Sequence, residues 1–310
     1  GRIRSCWRVS KAASVSAGSA EAGGPWIVSH RAHLVSDDGP GHEKIHADRG
    51  GQRDEALEEI GDRSRVARCV PEGFPDFVRF PVVAVVEELD IMIIGRSRKQ
   101  HIVLTRDHVF ERLEVDGREY VYQQVENSFT QPNAQICRSM LHWARDVTSD
   151  SQGDLVELYC GNGNFTVALA ENFRRVVATE ISRTSVASAQ ANLEANGIDN
   201  VHVARMSAEE FAQALTGEKQ GRRVAAMQLD ECEFSTVLVD PPRAGLDAES
   251  CTPLMRYPRI VYISCNPDTL AVNLEQLSQT HRVVRMALFD QFPWTDHCEC
   301  GVLLERLPAA

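Results

Sequence analysis

The 310-residue chain is 43% hydrophobic and 25% charged, with a formal net charge of -11 and a pI near 5.4. That is enough apolar material for a real core, in one large domain or two modest ones, and it gives no sign of the overall basic surface usual in nucleic-acid binders, although a local basic stripe remains compatible with it. No run approaches the roughly 18–20 apolar residues that would cross a membrane, and no basic-then-apolar signal segment opens the chain. The nine cysteines, odd in number and scattered, do not form a disulfide pattern, so the expected setting is a reducing cytoplasm.

The first 88 residues stand apart. They contain no Met or Tyr, yet hold 10 of the 20 glycines and 4 of the 10 histidines. Stretches such as SVSAGSAEAGGP and SDDGPGHEKIHADRGGQRDE show neither the helical nor the strand period, and a segment with little to bury is expected to be irregular or disordered. A short helix near Asp54–Glu59 and a strand over Val78–Val86, interrupted by Pro81, are the local expectations there. Residues 89–130 read as a strand-rich segment, with LDIMIIG, KQHIVL and EYVYQQ. Residues 131–310 read as the catalytic domain. Its first element is a helix over Pro132–Thr148, with the proline at a first-turn position where its missing N–H costs nothing.

From there strands and helices alternate: DLVELYC, a helix from Phe165 to Asn172, VVATEI, a helix from Arg183 to Asn196 stopped by Gly197, and NVHVARM. Next come SAEEFAQAL with the capping-box pair Ser207 and Glu210, STVLVDPP, RIVYISC, and a helix over Asp268–Thr280. This alternation predicts an α/β fold, a doubly wound Rossmann-like parallel sheet with helices on both faces.

Three strand ends carry candidate chemistry. After the first sheet strand comes ELYCGNGNF, in which Gly161 and Gly163 permit a sharp turn and close approach of a ligand to the backbone. Glu180, 19 residues after Gly161, closes the next strand near the ~20-residue spacing at which a carboxylate takes ribose hydroxyls. Thr166 stands where the third glycine of a dinucleotide fingerprint would be, which favours S-adenosyl-L-methionine over NAD; a plain βα turn with a solvated Glu is the bland alternative. In VLVDPPRAGL, Asp240 sits at the carboxyl edge of the sheet, where open α/β sheets bind ligands, followed by the planar cation of Arg243.

In VYISCNP, Cys265 stands at a strand exit rather than inside it, where a thiol can reach a substrate as nucleophile. The helix opened by Asn266-Pro267 would favour a thiolate; a small buried hydrophobe is the rival reading. In FPWTDHCECGVLLE, Glu299 among apolar neighbours is a candidate general base with a raised pKa. A metal held by His297, Cys298 and Cys300 has no second pair at ligand spacing to support it.

Together, QVENSFTQPN, ELYCGNGNF, ATEIS, VDPPRAGLD, YISCNP and LFDQFPWTDHCECGVLL resemble, in order, the RNA uracil-C5 methyltransferases, most closely the bacterial tRNA branch. The resemblance runs from about Leu89 nearly to the C-terminus. It implies S-adenosyl-L-methionine contacts at Gln131, Tyr159, Asn164, Glu180 and Asp240, beside the Gly161 turn already read as a cofactor-binding position. It implies Cys265 as the nucleophile that adds to uracil C6, and Glu299 as the base that removes the C5 proton.

The implied substrate is the T-arm uridine of tRNA, flipped from its stack, with tmRNA as a further candidate and a monomeric, membrane-free enzyme. The ribosomal-RNA branch and a weakly catalytic RNA-folding protein are the alternatives. Cys6, Cys69 and Cys137 lack the spacing of the iron–sulfur motif found in some relatives, so neither cluster nor metal is expected. The separate RNA-recognition domain that precedes the sheet in the family has no counterpart in residues 1–88, and the resemblance implies that residues 89–130 are the remnant of that domain. Arg96, Arg98 and Lys99 form a small basic cluster that could meet phosphate.

Overall fold

The computed structural model describes residues 106–308 and, before them, four strands. The helix expected near Asp54, the strand expected near Val78 and the side chains of the Arg96–Lys99 cluster lie outside the described residues. The chain divides into two units, residues 1–109 and 110–310. In the first, β1 (Cys6–Val9), β2 (His30–Ala32), β3 (Ile93–Ser97) and β4 (Gln100–Val103) form an antiparallel sheet in the order β2-β1-β3-β4.

A hairpin opens the second unit. Strands β5 (His108–Val115) and β6 (Arg118–Val125) are joined by Asp116 and Gly117, with φ of 53° and 77°. Two consecutive left-handed residues are what a tight two-residue hairpin turn requires, and Asp-Gly supplies them. Helix α1 (Ala134–Thr148) follows. Pro132 lies outside it rather than in its first turn. Asn133 takes the cap, its side chain accepting from the Ile136 N–H at 3.3 Å, so the helix starts one residue beyond the cap.

The rest is the expected alternation. In chain order it runs β7 (Asp154–Leu158), α2 (Asn164–Leu169), β8 (Val176–Glu180), α3 (Arg183–Ala195), β9 (Val201–Arg205) and α4 (Ala208–Leu215). It continues through α5 (Arg222–Met227), β10 (Phe234–Val239), α6 (Ala248–Leu254), β11 (Arg259–Ser264) and α7 (Pro267–Leu277), and ends in β12 (His281–Phe289) and β13 (Glu299–Arg306). The capping box of α4 is present in both directions, Glu210 N–H to Ser207 Oγ and Ser207 N–H to a Glu210 carboxylate oxygen, each 3.1 Å.

The seven strands are ordered β12-β13-β11-β10-β7-β8-β9. Strands β7 to β11 are parallel, and β13 runs antiparallel to both β11 and β12. The sheet therefore departs from the all-parallel expectation at one place, the final hairpin.

Strands in the middle of the sheet read as nearly continuous apolar runs because both faces are covered. One face packs on α1, α2, α3 and the β5–β6 hairpin, through Met140, Trp143, Phe165 and Leu193 with Tyr120 and Tyr122. The other packs on α4 to α7, through Phe211, Met227, Leu254 and Leu270. Asn192 and Asn196 of α3 fasten the hairpin by bonding the backbone of Gln123 and Val121. Because β8 and β9 extend the sheet to one side of β7 while β10 begins the other, the chain reverses direction between β7 and β10, the crevice where open sheets bind ligands.

Candidate active site

Strand alternation decides which side chains share the crevice. Leu155 of β7, Ala178 of β8, Leu238 of β10, Ile263 of β11 and Leu303 of β13 all belong to the core on the α1 face. Counting in steps of two from these positions puts Glu157, Glu180, Asp240, Cys265 and Glu299 on that same face. The antiparallel ladder pairs Ile263 with Gly301 and Ser264 with Cys300, so the next step brings Cys265 opposite Glu299.

The loop after β7 alternates in hand: Tyr159, Gly161 and Gly163 have φ of 63°, 57° and 81°. A Cβ on Gly161 would meet nothing within 4 Å, so open space borders the loop there. At Gly163 a Cβ would press on the Ala189 methyl at 3.3 Å. Glu180 clamps the loop, one oxygen accepting from the Gly161 N–H at 3.1 Å and the other from the Ser182 N–H at 2.7 Å.

Tyr159 departs from the group. Its side chain packs on the opposite core, so its backbone is what it offers the loop. Asn164, first in α2, has its Oδ1 3.5 Å from the Cys137 thiol and its backbone carbonyl held by the Tyr122 hydroxyl at 2.9 Å. Its Nδ2 is buried without a partner. Gln131 accepts a hydrogen bond from the side chain of Gln291.

The acids are electrostatically linked. Asp240 is pushed up to about 8 by burial and then by the nearby charge of Glu299. Burial also raises Glu299, which is 4% exposed. The Cys265 thiol is raised first by burial and then by the Glu299 and Asp240 carboxylates, while Arg243 acts in the opposite direction. This differs from the expectation of a thiolate favoured by the α7 terminus: burial, and then the two acids, raise the thiol, beside a helix end whose first donor, the Asp268 N–H, is already taken by the Asn266 side chain at 3.1 Å. Arg243 is tied to the same turn, its carbonyl accepting from Asn266 Nδ2 at 3.2 Å and Thr269 Oγ1 at 3.4 Å.

Two side chains not singled out from the sequence belong to this neighbourhood. Glu157, 1% exposed in mid-strand, is pushed up to about 8 by burial, with the Asp240 charge adding to it. Thr166 donates to it at 2.6 Å, which accounts for a hydroxyl where a dinucleotide fingerprint has glycine. The signal was an acid inside an apolar strand. The other is Gln291, 2% exposed, hidden in a polar loop. Among the described residues, no group of three or more His, Cys, Asp or Glu is arranged to hold a metal ion, and no helix is long and apolar enough to cross a membrane.

Residues 82–307 match the model of the tRNA (uracil-5-)-methyltransferase family. A tRNA/tmRNA (uracil-C(5))-methyltransferase of Chromohalobacter salexigens is 77% identical over 224 residues, which cover 72% of this chain and 60% of that protein. One from Cellvibrio japonicus is 58% identical over 220 residues, again covering 60% of its length. This chain thus spans about three-fifths of the curated relatives it matches. The crystal structure of Pyrococcus abyssi tRNA (uracil-54, C5)-methyltransferase in complex with S-adenosyl-L-homocysteine superposes with a TM-score of 0.51 at 27% identity, covering 66% of this chain and 45% of that one.

Proposed function

The chain belongs to the tRNA (uracil-5-)-methyltransferase family, and from that membership and the geometry of the site we propose that it methylates C5 of a uracil in tRNA through a covalent adduct on Cys265. The observation that carries this reading is the end of the β11–β13 ladder, which sets a thiol and a buried carboxylate one pairing step beyond Ser264 and Cys300.

The residues around the crevice fit S-adenosyl-L-methionine. Glu180 lies beside the left-handed loop, Asn164 holds an unpaired buried donor, and space is open at Gly161. Gln131, Asp240 and the backbone at Tyr159 complete the set. When bound, the cofactor supplies an electrophilic methyl group.

The chain's own residues do the rest. Cys265, as thiolate, adds to C6 of the uracil, and the electron pair of the C5–C6 double bond moves to C5 and the C4 carbonyl. This makes C5 nucleophilic. Once C5 carries the methyl group, Glu299 removes the C5 proton, the double bond re-forms and the C6–S bond breaks, returning the thiolate. Covalent catalysis divides one difficult substitution into easier steps. Arg243 offsets the two acids around the sulfur. The base must leave its stack to reach a thiol at the sheet edge.

The T-loop uridine is the target in this reading, as named for the Pyrococcus protein, with tmRNA as a second substrate, as named for the curated relatives. Both RNAs place the reaction in the cytoplasm. The test is a T-arm RNA carrying 5-fluorouridine, which blocks proton removal. A denaturation-stable adduct that requires both cofactor and Cys265 is expected. An adduct with ribosomal RNA fragments alone would move the substrate to the ribosome, and tight RNA binding without any adduct would leave a binding protein rather than an enzyme.

A further inference from the structure

The segment linking β12 to β13 buries one amide, Gln291. Its Nε2 donates to Oε1 of Gln131, in the segment before α1, while its own Oε1 is buried without a partner. An unpaired buried acceptor is costly, and an apolar side chain of the same size would avoid it. What the amide provides in exchange is orientation. A glutamine amide has an accepting and a donating end. With its oxygen already accepting from Gln291, Gln131 is held with its –NH2 as the unengaged end of the amide.

Asn164 follows the same arrangement. Its oxygen is taken by the Cys137 thiol and its –NH2 is buried and unpaired. Cys137 sits in the first turn of α1, shortly after Gln131. Two amides near one end of α1 are therefore each held by the oxygen with the donor end free. That suits the oxygen acceptors of a bound amino-acid-bearing ligand.

We propose that Gln291 is a positioning residue of the cofactor site: it fixes the amide of Gln131 so that Nε2 donates to the bound cofactor. The proposal rests on the reading of Gln131 as a cofactor-binding residue.

Calorimetric titration of the full chain with S-adenosylhomocysteine tests it without turnover. Gln291→Leu and the more flexible isostere Gln291→Met should each raise Kd about tenfold, as expected for one misplaced hydrogen-bond donor. Gln291→Glu, which keeps the size but sets an acceptor against Gln131, should weaken binding at least as much. The distinguishing variant is the double mutant. If Gln291 acts through Gln131, Gln131→Ala with Gln291→Leu should bind as weakly as Gln131→Ala alone, within about twofold.

Wild-type affinity in Gln291→Leu or Gln291→Met overturns the proposal, and so does a double mutant in which the two losses multiply. Wild-type affinity in Gln131→Ala overturns it while leaving the cofactor reading intact. A wild-type chain that does not bind at all overturns both.

Discussion

Cys265 and Glu299 meet at the open end of an antiparallel strand pair: the register that joins Ser264 to Cys300 carries them to facing positions just where the ladder stops. The two groups oppose each other electrostatically, since the carboxylate raises the thiol. Their proximity therefore does not activate the nucleophile. In the proposed mechanism it serves a later step, in which the group that releases sulfur and the group that takes the proton must act on adjacent carbons of one ring.

That division of labour predicts opposite outcomes for the two substitutions. Cys265→Ala should abolish both turnover and the 5-fluorouridine adduct. Glu299→Gln should abolish turnover but still form an adduct, and with ordinary uridine RNA it should accumulate a methylated, protein-linked species because the C5 proton stays in place. Denaturing gels and intact-mass measurement distinguish the two. Loss of all adduct in Glu299→Gln would remove the carboxylate from the role of late base.

The same charges set the pH response. Both reactive groups are needed deprotonated, and both are raised, Glu299 by burial and Cys265 by burial and then by the neighbouring acids. The kcat/KM for RNA should therefore climb from acid towards alkaline pH, with the thiol controlling the upper limb. Arg243 lowers the thiol, so Arg243→Gln should move that limb to higher pH. A displacement of one pH unit means about tenfold lower activity on the rising limb. The check is a pH–rate profile for both proteins; superimposable profiles would exclude Arg243 from this part.

Much of the framework was legible because period and punctuation agreed. The central strands β7, β8, β10 and β11 are short, mostly apolar runs, α4 carries its capping box, and Asn266-Pro267 opens α7. The strand ends with Asp240 and Cys265 could be placed because a parallel sheet sends every carboxyl end to one edge. The shortfalls have particular causes. Asp116-Gly117 is a strong hairpin signal, yet only the β6 side of that hairpin is legible, because Phe110 on the exposed face and Glu111 on the inner face blur the alternation of β5. Helix α6 is short and contains Pro253, so its pattern looks like a loop. The pKa direction of Cys265 depends on burial and then on two acids from other strand ends, and the side-chain direction of Tyr159 depends on a left-handed backbone. Neither is local information. Gln291 is one polar residue in a polar segment, and only its burial marks it.

Gly301 shows how a motif glycine can serve packing. A Cβ there would lie 2.7 Å from Cζ3 of Trp143 and within about 3 Å of two further ring atoms, in the place where α1 crosses the strand that begins with Glu299. The ring is also edge-packed on Phe289, 6.2 Å between centroids. Gly301→Ala should therefore cost about 1–3 kcal/mol as an overpacked core, seen as a lower midpoint in urea. In a Trp143→Leu background the added methyl should cost far less, giving a clear coupling energy. Equal penalties in the two backgrounds would mean that the ring is not the obstacle.

Glu157 makes stability itself depend on pH. Its ordinary value is 4.5 and the fold pushes it up to about 8. Between those values the folded chain keeps a proton that the unfolded chain has released, so raising the pH through the window favours unfolding. Below about pH 4.5 both states are protonated and the effect vanishes. Glu157→Gln retains an oxygen to accept from Thr166 but does not titrate. Thermal unfolding should thus give nearly equal midpoints for the two proteins at pH 5 and a higher midpoint for the variant at pH 8. Asp240 titrates over a similar range and its charge adds to the rise of Glu157, so the difference between the two proteins reports Glu157 together with its coupling to Asp240. Parallel midpoint curves from pH 5 to 8 would show that this carboxyl is already ionised in the fold, and that the Thr166 hydrogen bond outweighs its burial.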